Sequence, residues 1–220
     1  MSRRLADDAV GVAAALDMLR AGGIVAVPTD TVYGLSVALD TPGGIEKLYA
    51  AKGRPVDKAI IVLVDGLDQL AGLVFVPPAA QVLGGVGWPG GLTLILPLRP
   101  TAQVPPALTA GTATLGVRVP DHPTPRTLAR MLGPLPTTSA NLSGEPDALD
   151  AAAVESAIGD ACELILDGGP TRGGRPSTIV DCSSGSPSIV RVGAVPVHIL
   201  ATALDEAGIR HSIEEPTPSA

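Results

Sequence analysis

Short apolar runs, four to seven residues long and closed by glycine or proline, recur along the chain and alternate with helical stretches. That alternation constrains the fold more than any other feature. Strands interleaved with helices build an α/β domain, because each helix must bury its apolar stripe on a sheet face. The pattern predicts helices over 7–20, 41–51, 78–83, 125–131, 150–158 and 197–207. It predicts strands over 24–28, 59–64, 92–98, 114–119, 135–138, 164–167, 178–181 and 188–192. Gly22-Gly23 stops the first helix, Thr41-Pro42 opens the second as a cap followed by proline, and Asp150 caps the fifth. No internal repeat or long linker interrupts the series, so one α/β domain over 1–209 is expected, with a disordered tail at 210–220 whose last residues, EEPTPSA, hold little to build a core.

Composition narrows the function. The chain has four aromatic residues, Tyr33, Tyr49, Phe75 and Trp88, and 45% hydrophobic residues, so its core is aliphatic. So few rings cannot supply the stacking platforms of a single-strand nucleic-acid binder. A net charge of −7 argues against a uniformly basic module, though a local basic groove remains compatible with it. The two cysteines form no C-x-x-C pair and the three histidines sit at no metal-ligand spacing. No apolar run reaches the roughly 18 residues of a membrane span. The N-terminal MSRRLADDAVGVAAALDMLR carries Asp7, Asp8 and Asp17 through its apolar stretch, and therefore reads as an amphipathic helix rather than a leader. A reducing cytoplasm is the simplest setting.

Two glycine-rich strings fail as nucleotide motifs. Gly85-Val86-Gly87-Trp88-Pro89-Gly90 matches G-x-G-x-x-G, but the strand-like LTLILPL follows where a dinucleotide site needs a helix. In GPTRGGRP, Arg175 and Pro176 stand where a P-loop needs Lys and Ser or Thr. There is no G-x-S-x-G elbow, and hydrolase triads are excluded with it.

Six polar clusters remain, most of them at strand ends. They are PTDTVYGL at 28–35, KGRP at 52–55 with Lys58 beyond, Arg118 in LGVRVP, TTSANLSG at 137–144, RPSTIVD at 175–181, and RVG at 191–193. Loops at the strand ends of an open sheet aim hydroxyls and N–H groups at ligands, although Thr and Asp also form ordinary turns. Lys52 and Arg54 suit phosphate, or else simply complement a helix C-terminus. Arg118 between valines needs an anion, either a ligand carboxylate or an internal Asp or Glu. Together the clusters are rich in Arg, Lys, Ser, Thr and Asn and poor in His, Glu and Cys. Such a set binds anions and aligns reactants, as phosphoryl or nucleotidyl transfer requires.

In order along the chain, PTDTVYGL, KGRP, WPGGLTLILP, GVRVPDHP, TSANLSG, ILDGGP, STIVD and RVG resemble the YrdC/YciO family. The resemblance implies a single open, twisted mixed sheet with flanking helices around a concave basic groove. It further implies synthesis of L-threonylcarbamoyl-AMP from L-threonine, bicarbonate and ATP with Mg²⁺. The product would serve tRNA modification at adenosine 37 through separate threonylcarbamoyl-transfer proteins, with a tRNA contact by this chain left open. By the same resemblance, Lys52 and Arg54 neutralise ATP phosphates with Lys58 nearby. Thr114, Ser139, Asn141 and Arg191 contact the nucleotide, while Lys52, Arg54, Ser139 and Asn141 form the catalytic set. Thr31 and Ser177 bond the threonine moiety and Arg118 clamps its carboxylate. Three of the four aromatics, Tyr33, Tyr49 and Trp88, fall in or beside these motifs and are expected around one pocket. The alternative from another class is a non-catalytic RNA-binding or ribosome-maturation module of the same fold.

Overall fold

The computed structural model describes residues 2–214. Ten strands form one sheet: β1 (Arg3–Ala6), β2 (Val25–Val27), β3 (Gly34–Ser36), β4 (Ile61–Leu63), β5 (Leu92–Pro97), β6 (Thr114–Arg118), β7 (Leu135–Ser139), β8 (Leu164–Asp167), β9 (Thr178–Asp181) and β10 (Ser188–Arg191). Six α-helices accompany them: α1 (Ala9–Arg20), α2 (Gly44–Lys52), α3 (Pro78–Gly87), α4 (Pro123–Leu132), α5 (Ala151–Ile158) and α6 (Val197–Glu206). The strand order is β1-β8-β2-β3-β7-β4-β6-β5-β9-β10. Parallel pairs (β1 with β8, β4 with β6, β5 with β9) mix with antiparallel ones (β2 with β3, β3 with β7, β5 with β6).

Period-two alternation sorts side chains between the two faces. Val25, Val27, Leu164 and Leu166 join Ala15 and Leu19 of α1 and Leu128 and Ala129 of α4 in one core. Ala26 and Ile165, one residue out of phase, join Leu48, Leu83, Val154 and Leu200 from α2, α3, α5 and α6 in the other. The result is an α/β single domain with a large open mixed sheet between two helical layers. Among the described residues no helix is long and apolar enough to cross a membrane.

Several elements depart from the sequence expectation. Asp8 caps α1 through Val10 N–H and Gly11 N–H, and residues 3–6 before it pair with β8 as an edge strand. The second helix starts at Gly44, because 41–44 closes as a turn with Gly44 N–H on Thr41 O. β3 begins within the last two residues of PTDTVYGL, a segment the hydroxyl pattern alone marks as a loop, and ends one residue beyond it. The tail expected over 210–220 divides. Residues 210–214 stay on the domain, with Ile213 buried and Ser212 N–H bonded to Pro187 O, and 215–220 lie outside the described residues.

Candidate active site

The face of the sheet that carries α1 and α4 also carries a cleft of about 160 Å³. Gly34, Ile61, Leu63, Thr137 and Ser139, from β3, β4 and β7, form its floor. These residues are in register: Ile61 pairs with Thr137, and Gly34 with Ser139. Gly34 is required there, since a Cβ would come within 2.6 Å of Thr137 Cγ2. The walls come from strand ends and the loops beside them, and include Thr29, Thr31, Arg54, Arg118, Asp147, Ser177 and Arg191.

Arg118 ends β6, is buried, and has an internal counter-ion. Its Nη2 donates to Asp30 Oδ1 at 2.6 Å, Nη1 to Thr31 Oγ1 at 2.7 Å and Nε to Gly90 O at 2.9 Å. Of five guanidinium N–H groups, two are left for a ligand. Thr31 is fixed in turn by Thr29, whose hydroxyl lies 3.1 Å from that of Thr31 and donates to Val32 O. Ser177 Oγ lies 2.8 Å from Thr93 Oγ1 and accepts from Arg191 Nη2 at 3.2 Å. Arg191 also holds Ser177 O through Nε and Nη2.

Lys52 ends α2. Gly53, at φ 57°, then turns the chain so that Arg54 leaves in another direction. The Lys52 ammonium is 2% exposed and meets four oxygens: Ser139 O, Ser139 Oγ, Asn141 O and Asn141 Oδ1. Ser143 N–H donates back to Lys52 O. Ser139 Oγ donates to Asn141 Oδ1 at 2.6 Å, and Asn141 Nδ2 to Glu145 O at 2.6 Å. Lys52 and Asn141 therefore stand one hydrogen bond behind the wall, and Ser139 is on it. Arg54 lines the cleft, with Nε on Lys58 O and Nη2 on Ala59 O.

The cations disfavour one another. Burial, then Arg54, pushes the Lys52 ammonium down to about 8. Burial lowers Arg118 and Arg191 as well, with Arg191 acting against Arg118 and Arg54 against Arg191. An anion entering the cleft would relieve this repulsion.

Not every expected residue converges. Thr114 opens β6, at the end opposite Arg118 and about 13 Å along the strand, and its hydroxyl is bonded to Thr112. Lys58 is exposed, and neither residue lines the cleft. Of the three aromatics expected around the pocket, only Tyr33 lines it, its hydroxyl donating to Gly169 O. Tyr49 OH lies between Lys58 O and Ala107 O, and Trp88 Nε1 donates to Leu92 O. Sequence reasoning missed Asp30 and Thr29, although both lie inside PTDTVYGL. It also missed Asp147, which no motif marks.

The profile of the Sua5_yciO_yrdC family, described as "Telomere recombination", matches residues 17–193. The chain is 41% identical over 186 residues to the threonylcarbamoyl-AMP synthase of Bacillus subtilis, covering 84% of this chain and 54% of that one. It is 40% identical over 179 residues to the threonylcarbamoyl-AMP synthase of Chromohalobacter salexigens, covering 79% of this chain and 94% of that one. The crystal structure of P. abyssi Sua5 complexed with L-threonine superposes with a TM-score of 0.86 at 32% identity, over 100% of this chain and 65% of that one. The chain thus spans about half the length of its Bacillus relative and nearly all of its Chromohalobacter one. Eight ordered motifs, the mixed ten-stranded sheet and these matches agree, and the chain belongs to the Sua5/YciO/YrdC family.

Proposed function

We propose that the protein makes L-threonylcarbamoyl-AMP from L-threonine, bicarbonate and ATP, releasing pyrophosphate, for tRNA modification at adenosine 37 by downstream transfer proteins. The observation that carries this reading is the make-up of the cleft. Three arginines and several hydroxyls line it, with no His, Cys or Glu among the described residues on its walls. Such a site aligns anions and steadies charge rather than exchanging protons.

In this reaction the threonine ammonium loses a proton, and the resulting amine and bicarbonate give a carbamate with loss of water. A carbamate oxygen then attacks the α-phosphorus, and the bond to the β-phosphate oxygen breaks. Arg118 would take the threonine carboxylate on its two spare N–H groups. Thr31 and Ser177, fixed by their hydroxyl partners, would hold the rest of the amino acid. Arg54 and Arg191 would meet the phosphates beside Ser139, whose loop Lys52 holds in place.

Among the described residues no group of three or more His, Cys, Asp or Glu side chains could cage a metal. Mg²⁺ needs no cage: it keeps waters, takes phosphate oxygens and adds one or two carboxylates. Asp147, the one carboxylate lining the cleft among the described residues, fits that demand. Mg²⁺ would supply charge neutralisation on the triphosphate. A cytoplasmic setting, where ATP, threonine and tRNA coexist, fits the whole reading. Nothing in the cleft favours the RNA-binding alternative.

The test is to incubate the purified protein with ATP, threonine and ¹³C-bicarbonate and to analyse the products by mass spectrometry. A threonylcarbamoyl-AMP adduct carrying one ¹³C is expected. Absence of the adduct, or an adduct without the label, would overturn the proposal.

A further inference from the structure

Asp147 is the single acidic side chain on the cleft among the described residues. The residue stands in the loop after β7, six residues beyond Asn141, and lines the cleft. The backbone is held on either side of it: Glu145 O, two residues before, accepts from Asn141 Nδ2, and Ala148 O, one residue after, from Tyr33 N–H. Among the described residues the carboxylate has no hydrogen-bond or ion-pair partner, although its charge acts on Lys52 and Arg191. It has no comparable effect on Arg118, whose counter-ion is Asp30. Asp147 therefore faces the same cleft as Arg191, whose guanidinium also holds Ser177, and its charge reaches Lys52 behind the wall.

A free carboxylate there opposes what the cations beside it do. It repels a triphosphate and weakens the binding of the very ligand the arginines attract. A divalent cation between carboxylate and phosphate reverses the sign of that interaction, and Mg²⁺ is commonly bound in this way. We propose that Asp147 selects the metal-bound nucleotide: it excludes metal-free ATP and admits MgATP by sharing the cation. This inference rests on the cleft being the ATP site and adds to that reading a requirement for the metal at the binding step, before any chemistry.

The experiment is calorimetric titration of ATP into the protein without threonine or bicarbonate, once with excess Mg²⁺ and once with EDTA. Wild type should bind at least about tenfold more tightly with Mg²⁺, the scale expected of one unscreened charge pair. Asp147→Asn should bind metal-free ATP more tightly than wild type does and should lose most of the Mg²⁺ dependence. Asp147→Ser provides a second variant, and the thermal midpoint of each confirms folding. An unchanged Mg²⁺ dependence in both variants would overturn the proposal while leaving the ATP site intact. Titration of threonine into the same variants completes the test: weaker threonine binding with ATP binding unchanged in both conditions would overturn the proposal and make Asp147 an anchor for the substrate ammonium. Failure of wild type to bind ATP in either condition would overturn the ATP reading and this inference with it.

Discussion

The Lys52 ammonium carries three protons and meets four oxygens, all of them from Ser139 and Asn141. A lysine so engaged positions a loop as well as contributing charge. Lys52→Ala would leave buried acceptors without donors and should cost about 2 kcal/mol, a fall of roughly 4–8 °C in Tm for a chain of this size. Turnover should be lost as well. Arg54→Ala should also abolish turnover but shift Tm by no more than about 2 °C, since its bonds are local ones to Lys58 O and Ala59 O. Equal Tm values for the two variants in thermal melts would contradict this division. The pH dependence follows from the same burial. With Lys52 pushed down to about 8, the ammonium is charged below that pH and neutral above it. ATP affinity should therefore fall as pH rises through about 8, and Lys52→Arg should remove that step. A flat affinity from pH 7 to 9.5 would refute it. Residue identities were readable from KGRP and SANLSG, but their pairing was not. Lys52 and Asn141 are 89 positions apart, and Arg118 and Asp30 are 88, and no local pattern joins them.

Among the elements, the β9–β10 pair and the turn after it set the geometry around Ser177. Arg191, at the end of β10, holds Ser177 O, and Gly193 then passes directly over the backbone of Pro176 and Ser177. A Cβ at 193 would collide with Pro176 O and with the carbonyl of Ser177. Gly193→Ala should therefore displace Ser177, cost about 1–3 kcal/mol as overpacking does, and raise the KM for threonine at least about tenfold. A normal KM in the folded variant would show that Ser177 does not bind threonine. Helices and buried strands were the legible elements, because apolar periodicity and caps such as Asp150 mark them. The edge strand β1 was not legible: Arg3 and Arg4 face solvent and give it no apolar alternation. β3 was hidden because three residues, Gly34, Leu35 and Ser36, at the end of a hydroxyl-rich motif carry no recognisable period.

At the scale of the molecule, alternating strands and helices announced the α/β class, while the order of strands stayed out of reach. β3 pairs with β7, and β5 with β9, across long stretches of chain, and a sequence pattern records the face of a strand but not its neighbour. That order brings the six polar clusters to one face. It also explains how a chain of net charge −7 presents Arg54, Arg118 and Arg191 in a single cleft. In the proposed function this cleft joins three substrates rather than hydrolysing one. Pyrophosphate release from ATP by the purified protein, with threonine and bicarbonate each omitted in turn, tests it most directly. Release is expected only when both are present. Release that continues undiminished without threonine would contradict it.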